Sequence, residues 1–203
     1  MHLLLIRHGE SVANAEKRMQ GQFDSPLSDE GRAQARALGR RLRAEGWEID
    51  AIYASDLSRA SETAEILGQM LDLPVCLDPR LREYDAGVLN GLTWDEIDAR
   101  YPDLWREMRA SPVWVPIPGE EGPGVFVDRL AALVADVRAH HHDGQSIALV
   151  GHGASLGALI SHLLGIDTRS KPQPFRLGNA SLSLLEFTPR GVRVSRLNDT
   201  SHL

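Results

Sequence analysis

The sequence reads Leu3-Leu4-Leu5-Ile6-Arg7-His8-Gly9 near its start and Ile147-Ala148-Leu149-Val150-Gly151-His152-Gly153 far downstream. Each stretch is an apolar run of strand length that ends at a His-Gly pair, as expected for a buried strand. In open α/β sheets, ligands bind in the crevice beyond the carboxyl ends of the strands. We therefore predict that His8 and His152 contribute to one site.

Strands and helices alternate along the rest of the chain. Apolar runs predict strands at 2–6, 49–54, 75–77 and 147–150, and helical periodicity predicts helices at 28–45, 56–71, 125–141 and 154–164. Asp56 or Ser58 is expected to cap the second of these helices. Two final strands, 181–187 and 192–196, flank a Pro-Arg-Gly turn and predict an antiparallel hairpin. The pattern predicts an α/β fold, a three-layer α/β/α sandwich whose mostly parallel sheet ends in an antiparallel edge.

Composition bounds the class of protein. A chain of 203 residues with 42% hydrophobic and 25% charged residues fits one globular domain, 1–203, with residues 84–124 forming a lid-like insertion. The net charge of −6 argues against nucleic-acid and anionic-membrane partners. Cys76 is the only cysteine and is expected to be a small buried side chain. With no basic leader and no long apolar run, the protein is expected to be soluble and cytoplasmic.

Several residues carry chemistry suited to an anion. Arg7 offers a guanidinium fork beside His8, and Gly9 lets backbone N–H groups approach a phosphate closely. Arg59 lies in the first turn of a helix that follows a strand, where the helix dipole also favours an anion. Glu83 and Asp85 share a face if their stretch is extended.

Taken together, the motifs resemble the histidine phosphatase superfamily, with its phosphoglycerate-mutase-like fold, in the phosphatase and mutase branch. The resemblance follows nearly the whole chain and is closest to small-molecule phosphatases. It rests on these pieces, in order: Arg7-His8-Gly9-Glu10-Ser11, Asn14, Arg18-Met19-Gln20-Gly21, Leu27-Ser28, Gly31, Gln34-Ala35, Ser55-Asp56-Leu57-Ser58-Arg59-Ala60, Thr63-Ala64, Leu81-Arg82-Glu83, Gly91-Leu92-Thr93 and Gly151-His152-Gly153.

The resemblance implies a role for each catalytic candidate. His8 is the expected nucleophile, which attacks phosphorus and forms a phosphohistidine. Arg7, Arg59 and His152 are expected to stabilise charge on the phosphoryl oxygens, without any metal or other cofactor. Glu83 is the expected general acid and base, and Asp85 is its rival.

The resemblance also assigns substrate contacts. The expected binding residues are Ser11, Asn14, Gln20, Gly21, Gly153 and His202. The last of these belongs to a closing segment that resembles those of several small-molecule phosphatases, including metal-independent phosphoserine phosphatases. The expected partner is a small phosphorylated metabolite, with homo-oligomer formation left open.

The reaction itself has alternatives. Mutases that resemble this chain carry an adjacent arginine pair and a lysine in the insertion, whereas here the insertion has only separated arginines, Arg100, Arg106 and Arg109. Hydrolysis of a phosphomonoester is therefore the expected activity. A cofactor-dependent phosphoglycerate mutase is the first alternative, and a non-catalytic relative that binds phosphorylated ligands is the second.

The insertion is rich in aromatic residues. Trp94, Trp105 and Trp114 form either a small core that anchors this segment or an apolar wall for the organic part of the substrate. At 118–124 the chain has Pro-Gly-Glu-Glu-Gly-Pro-Gly where relatives commonly show Gly-Gly-Glu-Ser, which predicts acidic groups near the mouth of the site. The run 140–142 of three histidines lacks the i, i+3 or i+4 spacing of helical metal ligands, so no metal site is expected.

Overall fold

A six-stranded sheet organises the computed structural model, which describes residues 1–170 and 174–203. The strands are β1 His2–Arg7, β2 Ala51–Ala54, β3 Val75–Leu77, β4 Ser146–Gly151, β5 Leu182–Thr188 and β6 Gly191–Asp199. The helices are α1 Val12–Ala15, α2 Asp29–Ala44, α3 Ser58–Leu71, α4 Trp94–Arg100, α5 Pro102–Ala110, α6 Pro123–His140 and α7 Gly153–Leu163. Single 3-10 turns lie at Pro79–Leu81 and Gly87–Leu89.

The sheet order is β3-β2-β4-β1-β5-β6, and the register of its central pair explains the repeated motif. Strands β1 and β4 are parallel, with Leu5 opposite Leu149 and Arg7 opposite Gly151. The residues that follow these positions therefore leave the sheet side by side. Strand β5 runs antiparallel to β1, and β6 completes the predicted hairpin at the edge.

Alternate residues of β1 enter two separate cores. Leu3 and Leu5 pack with side chains of α6 and α7 on one face of the sheet, whereas Leu4 and Ile6 pack with those of α2 and α3 on the other. All four β1 leucine and isoleucine side chains are buried, as the pleat of a strand covered on both faces requires. The predicted three-layer α/β/α arrangement with a mostly parallel sheet is confirmed.

The segment 84–124 contains the two short helices α4 and α5. Helix α4 begins at a capping box in which the Thr93 side chain accepts from the Glu96 N–H and the Glu96 carboxylate accepts from the Thr93 N–H. Helix α5 follows with Pro102 in its first turn. Their apolar side chains join the core formed by α6 and α7, among them Ile97, which is fully buried.

Two local expectations were wrong. Helix α3 begins after Leu57 without a side-chain cap, because the Asp56 carboxylate pairs with Arg82 and the Ser58 N–H donates instead to Asp24 Oδ1 at 2.8 Å. Cys76 is exposed, since its strand β3 is the outer edge of the sheet and has a neighbour on one side only.

Within the ranges 1–170 and 174–203, no helix combines the length and apolar character that crossing a bilayer requires.

Candidate active site

His8 and His152 meet beyond the carboxyl ends of β1 and β4, with ring centroids 5.1 Å apart. Each follows its strand directly, and the parallel register places the two strand ends together. His8 is 2% exposed and His152 is fully buried. The repeated apolar run and His-Gly pair thus produce a pair of enclosed imidazoles at one edge of the sheet.

The His8 ring is held as a neutral imidazole. Its Nδ1 donates to the Gly9 carbonyl oxygen at 2.6 Å, so the Nε2 lone pair is available for bonding. Burial, followed by the positive charges of Arg7 and Arg59, holds the His8 pKa well below its usual value. A buried imidazole that is unprotonated at neutral pH is suited to act as a nucleophile.

Arg59 spans the base of the site. Its Nε donates to His152 Nδ1 at 3.1 Å, while its two terminal nitrogens donate to the carbonyl oxygens of Phe23 and Gly21 at 2.9 and 2.8 Å. The side chain is 1% exposed, and this burial lowers its pKa to about 10. Arg59 therefore remains a cation at neutral pH.

Arg7 carries a donor without a protein partner. Its Nη1 donates to the Leu177 carbonyl, but its buried Nε forms no hydrogen bond. A Cβ built on Gly153 would lie only 3.6 Å from that Nε, so the backbone passes close to the guanidinium. A buried donor left unsatisfied costs roughly 1–3 kcal/mol, which an anion bound beside it would recover.

His152 uses both ring nitrogens within the protein. Nδ1 accepts from Arg59, which leaves the hydrogen on Nε2 to donate to Ser55 Oγ at 2.9 Å. Burial and then the charge of Arg59 lower the His152 pKa well below its usual value. In this arrangement the neutral ring orients Arg59 and packs edge-on against His8.

Glu83 lies at the amino end of α7. Its carboxylate accepts from the N–H groups of Ala154 and Ser155, both at 2.9 Å, and from the Tyr84 N–H at 2.9 Å. These donors fix the carboxylate where the dipole of an eleven-residue helix favours a negative charge. The helix that follows His152 thus also positions Glu83.

Asp85 does not share a face with Glu83, because the segment is irregular rather than extended. Its Oδ1 accepts from the Gly87 N–H at 3.0 Å and from Asn90 Nδ2 at 2.6 Å, which is a local turn of the kind that Asp favours. Glu83 lines the cavity around His8, whereas Asp85 stabilises the turn that follows it.

The expected substrate-binding residues near His8 form one polar network. Ser11 Oγ contacts Gln20 Oε1 at 2.8 Å and caps the short helix α1 by accepting from the Asn14 N–H. Asn14 Oδ1 accepts from Asn179 Nδ2 at 3.0 Å. Asn14, Gln20 and Gly21 line the cavity, and Ser11 supports them from a fully buried position.

His202 lies elsewhere. Its Nδ1 is 3.3 Å from Arg41 Nη1, in a cluster where Arg41 also pairs with Asp199 and Glu45. The site therefore forms without this side chain, and its expected substrate contact stays a prediction from the resemblance.

A cavity of about 400 Å³ opens above His8 and has two different walls. The wall at the strand ends is polar and carries Arg7, His8, Asn14, Gln20, Arg59 and Glu83. The facing wall is largely apolar and is formed by Met19, Tyr84, Ala86, Trp94, Met108, Trp114, Ile117, Pro123, Phe126 and Ala158. Arg18 also lines the cavity, and Glu16 and Glu96 pair with its guanidinium at 2.6 and 3.1 Å.

The tryptophans of the insertion pack against other aromatic rings, and two of them line the cavity. Trp94 and Trp114 face the cavity, and Trp105 stacks on Trp94 with ring centroids 5.4 Å apart. Trp114 packs edge-on against Tyr84 at 4.9 Å. The aromatic cluster therefore anchors the segment 84–124 and also walls the cavity.

The two carboxylates of the 118–124 loop are both paired with other side chains. Glu120 accepts from the Tyr84 hydroxyl at 2.6 Å and from Trp114 Nε1 at 3.2 Å, and Glu121 pairs with Arg129 at 2.8 Å. Tyr84, Trp114 and Arg129 thus hold both carboxylates, and because Tyr84 and Trp114 line the cavity, Glu120 lies close to it. The effect of these acidic groups on substrate choice stays a prediction.

Four contributors were missed in the sequence. Ser55 Oγ accepts from His152, and Thr63 Oγ1 accepts from the Gly9 N–H. Asn179 Nδ2 donates to Asn14 Oδ1 and lies 3.3 Å from the His8 carbonyl oxygen. Arg129 donates to the Glu83 carbonyl oxygen. Ser55 had a usable signal, because it follows β2 at the same sheet edge as the histidines. Asn179 and Arg129 belong to distant segments with no local pattern, so folding alone brings them to the site.

Across the described part of the chain, no group of three or more His, Cys, Asp or Glu side chains is arranged to hold a metal ion.

Comparison with known proteins places this geometry in a family. The model of the histidine phosphatase superfamily, branch 1, matches residues 3–200. The chain belongs to the histidine phosphatase superfamily. A relative from Salmonella paratyphi B, named probable phosphoglycerate mutase GpmB, is 36% identical over all of this chain and 95% of its own length.

Solved structures of this superfamily are similar over nearly their full length. Mycobacterial glucosyl-3-phosphoglycerate phosphatase has a TM-score of 0.85 at 34% identity, covering 97% of this chain and 98% of its own. YhfR from Bacillus stearothermophilus has a TM-score of 0.87 at 34% identity, covering 99% and 98%. The alpha-ribazole phosphatase of Shigella flexneri has a TM-score of 0.85 at 26% identity, covering 98% and 97%. Similar structures thus include named phosphatases acting on small phosphorylated substrates.

Proposed function

We propose that this protein hydrolyses phosphomonoesters of small metabolites through a phosphohistidine on His8, without a metal ion. The observation that carries the proposal is the buried neutral His8, which lines the same cavity as Arg7 with its unsatisfied Nε. A phosphoryl group in the cavity would meet a nucleophile, two guanidinium groups and a carboxyl group. These are the components that phosphoryl transfer requires.

The reaction has two balanced steps. Glu83 takes up a proton when the phosphate ester binds beside it; His8 Nε2 then attacks phosphorus as the ester P–O bond breaks, and Glu83 gives this proton to the leaving alcohol oxygen. The Glu83 carboxylate then takes a proton from water as the water oxygen attacks phosphorus and the P–N bond breaks. Arg7 and Arg59 bind the phosphoryl oxygens throughout, with Asn14, Gln20 and the Gly21 backbone around them.

The facing wall indicates the organic part of the substrate. It is made of aromatic rings and methionines, and the guanidinium of Arg18 is already paired with two carboxylates. An uncharged, partly apolar organic group fits such a wall better than a second anionic group, because unpaired charge loses its hydration there.

A phosphoglycerate mutase is the second candidate, favoured by the name of the Salmonella relative. The placement of the insertion arginines supports hydrolysis instead. Arg106 and Arg109 line a separate groove with Trp105, and Arg100 extends toward Glu96 at 3.7 Å. None of these three lines the cavity around His8, so they are not placed to hold a second phosphate or carboxylate.

The deciding experiment measures phosphate release from a panel of phosphomonoesters that includes 3-phosphoglycerate, in the presence of EDTA. We expect release by the wild type and acid-labile phosphate on the protein, with kcat falling about 10³-fold or more in His8→Asn because the nucleophile is lost. His162→Asn, an exposed position on α7, is the matched control and should retain activity.

Three results would contradict the proposal. Release that EDTA abolishes would refute independence from metals. Release that persists in His8→Asn would refute the phosphohistidine. Isomerisation of phosphoglycerate with no release from any ester would establish the mutase.

A further inference from the structure

The segment that carries Glu83 lacks regular structure of its own. Residues 79–81 form a single 3-10 turn, and residues 82–86 lie outside any helix or strand. Backbone carbonyls in such a segment need donors from elsewhere in the fold. The general acid of the proposed reaction therefore depends on partners outside its own element for its position.

Arg129 of α6 supplies those donors. Its Nη1 donates to the carbonyl oxygens of Arg80 and Arg82 at 2.6 and 2.8 Å, and its Nη2 donates to the Glu83 carbonyl at 3.0 Å. One guanidinium thus binds three carbonyls within four residues of chain. Its side chain is only 16% exposed, so water competes little for these bonds.

Glu121 closes the arrangement from the other side. Its two oxygens accept from Arg129 Nε at 2.9 Å and Nη2 at 2.8 Å, a bidentate pair, and Oε1 also accepts from the Asp85 N–H at 2.8 Å. The pair therefore binds the backbone on both sides of Glu83. The carboxylate itself is then free to contact the α7 N–H groups and the cavity.

We infer that Arg129, held by Glu121, is a positioning residue for the general acid Glu83, an inference that rests on the proposed function. Lysine cannot replace Arg129, because an ammonium group has three donors and no planar fork for a carboxylate and three carbonyls at once. A misplaced Glu83 would slow proton transfer to the leaving group and leave phosphate binding by Arg7 and Arg59 intact.

The test compares two substrates of similar shape, 4-nitrophenyl phosphate and 4-nitrobenzyl phosphate. The nitrophenolate leaves readily without a proton, whereas the benzyl alcohol needs one, so only the second substrate depends strongly on the general acid. The measured quantities are the single-turnover rate of phosphohistidine formation, by rapid quench, and the dissociation constant of each substrate.

For Arg129→Lys we expect phosphoryl transfer from the benzyl ester to slow by about 10- to 100-fold, with a few-fold loss for the phenyl ester and little change in either dissociation constant. Glu121→Gln keeps the side-chain shape but loses the ion pair. It should also slow the benzyl ester more than the phenyl ester, by a smaller factor than Arg129→Lys does. It also decides the question if Arg129→Lys does not fold. Arg138→Lys, the same change on α6 at a side chain lying over Phe187, is the control and should match the wild type.

A double variant separates positioning from a general structural role. If Arg129 acts through Glu83, Arg129→Lys should change the rate less than about twofold in a Glu83→Gln background. Any of three results would overturn the inference: equal slowing of both esters, a fold-loss of rate in the double variant that is the product of the two single fold-losses, or a loss confined to substrate affinity. Absence of phosphohistidine in the wild type would instead refute the proposed function, and the inference with it.

Discussion

Individual residues give the cavity its charge. The molecule carries a net charge of −6, yet the wall at the strand ends holds Arg7 and Arg59 as cations, His8 as a neutral ring, and Glu83 as the nearby carboxylate. With two cations against one anion, that wall retains positive charge in a region shielded from water. A phosphate group would neutralise this excess, which supports the proposed binding of a phosphoryl group at this wall.

Gly21 is a residue whose lack of a side chain is required. Its φ is +51°, and a Cβ there would lie 1.9 Å from Asn90 Oδ1. Its carbonyl also accepts from Arg59 Nη2, so any shift of the backbone moves the guanidinium.

We predict that Gly21→Ala lowers kcat/KM by about 10- to 100-fold through displacement of Arg59, because a misplacement of about 1 Å at a catalytic site can cost about 10²-fold. Steady-state kinetics and the melting temperature check this. Gly46→Ala is the matched control, since its φ is +70° but nothing lies within 4 Å of its added Cβ. An equal loss of activity in the two variants would show that alanine at any position of positive φ has this effect, and that the clash with Asn90 is not its cause.

Helices and strands contribute through their ends. The carboxyl ends of β1 and β4 deliver the two histidines, the first turn of α3 delivers Arg59, and the amino end of α7 holds Glu83. Helices α4 and α5 add the apolar wall, with Trp94 stacked on Trp105 across them. Most of the apolar wall therefore lies on elements other than those that carry His8, Arg59 and His152.

We predict that Trp114→Ala reduces kcat/KM for 1-naphthyl phosphate about 3- to 10-fold more than for glycerol 3-phosphate, since one aromatic contact contributes roughly 0.5–1.5 kcal/mol. The ratio of the two kcat/KM values is the measurement. Trp47→Ala, at a ring that packs edge-on against His2 outside the cavity, is the control. An unchanged ratio would show that Trp114 does not contact the organic group.

Folding of the whole molecule keeps His8 and His152 unprotonated, which links the stability of the protein to pH. Burial and neighbouring cations lower the pKa of His8 and His152 in the folded state, while the unfolded chain titrates near 6.5. Below that pH the unfolded state binds more protons than the folded state. The free energy of unfolding therefore increases with pH in this range, and the protein becomes progressively less stable as the pH falls below about 6.5.

We predict that the wild type takes up protons on unfolding between pH 6.5 and 5, and that His8→Asn takes up about one fewer. Urea unfolding across this range measures the difference, because the free energy of unfolding of His8→Asn should depend less steeply on pH than that of the wild type. The exposed His162→Asn should keep the wild-type slope. Equal slopes for His8→Asn and the wild type would mean that His8 is protonated in the folded state.

Prediction from sequence succeeded where the signal is local. The apolar runs and helical periodicities located most elements, and the hairpin was expected at the sheet edge where it lies. It failed for the burial of Cys76 and for the cap of α3. The position of β3 at the edge of the sheet and the pairing of the Ser58 N–H with Asp24 both depend on residues distant in the sequence. Asp85 also required the structure, since the irregular path after Glu83 is set by Arg129 and Glu121.

By itself, the sequence determined the layered α/β fold and the ordered motifs that identify the superfamily, because hydrophobic periodicity and motif order are properties of the chain. Only the tertiary structure decided which polar groups find partners. It leaves the Nε of Arg7 without a hydrogen bond, places the Glu83 carboxylate at the amino end of α7, and brings Arg129 to the Glu83 carbonyl oxygen. Hydrogen bonds and pKa values depend on which side chains come within about 3 Å of one another and on how much water is excluded, and folding alone sets both.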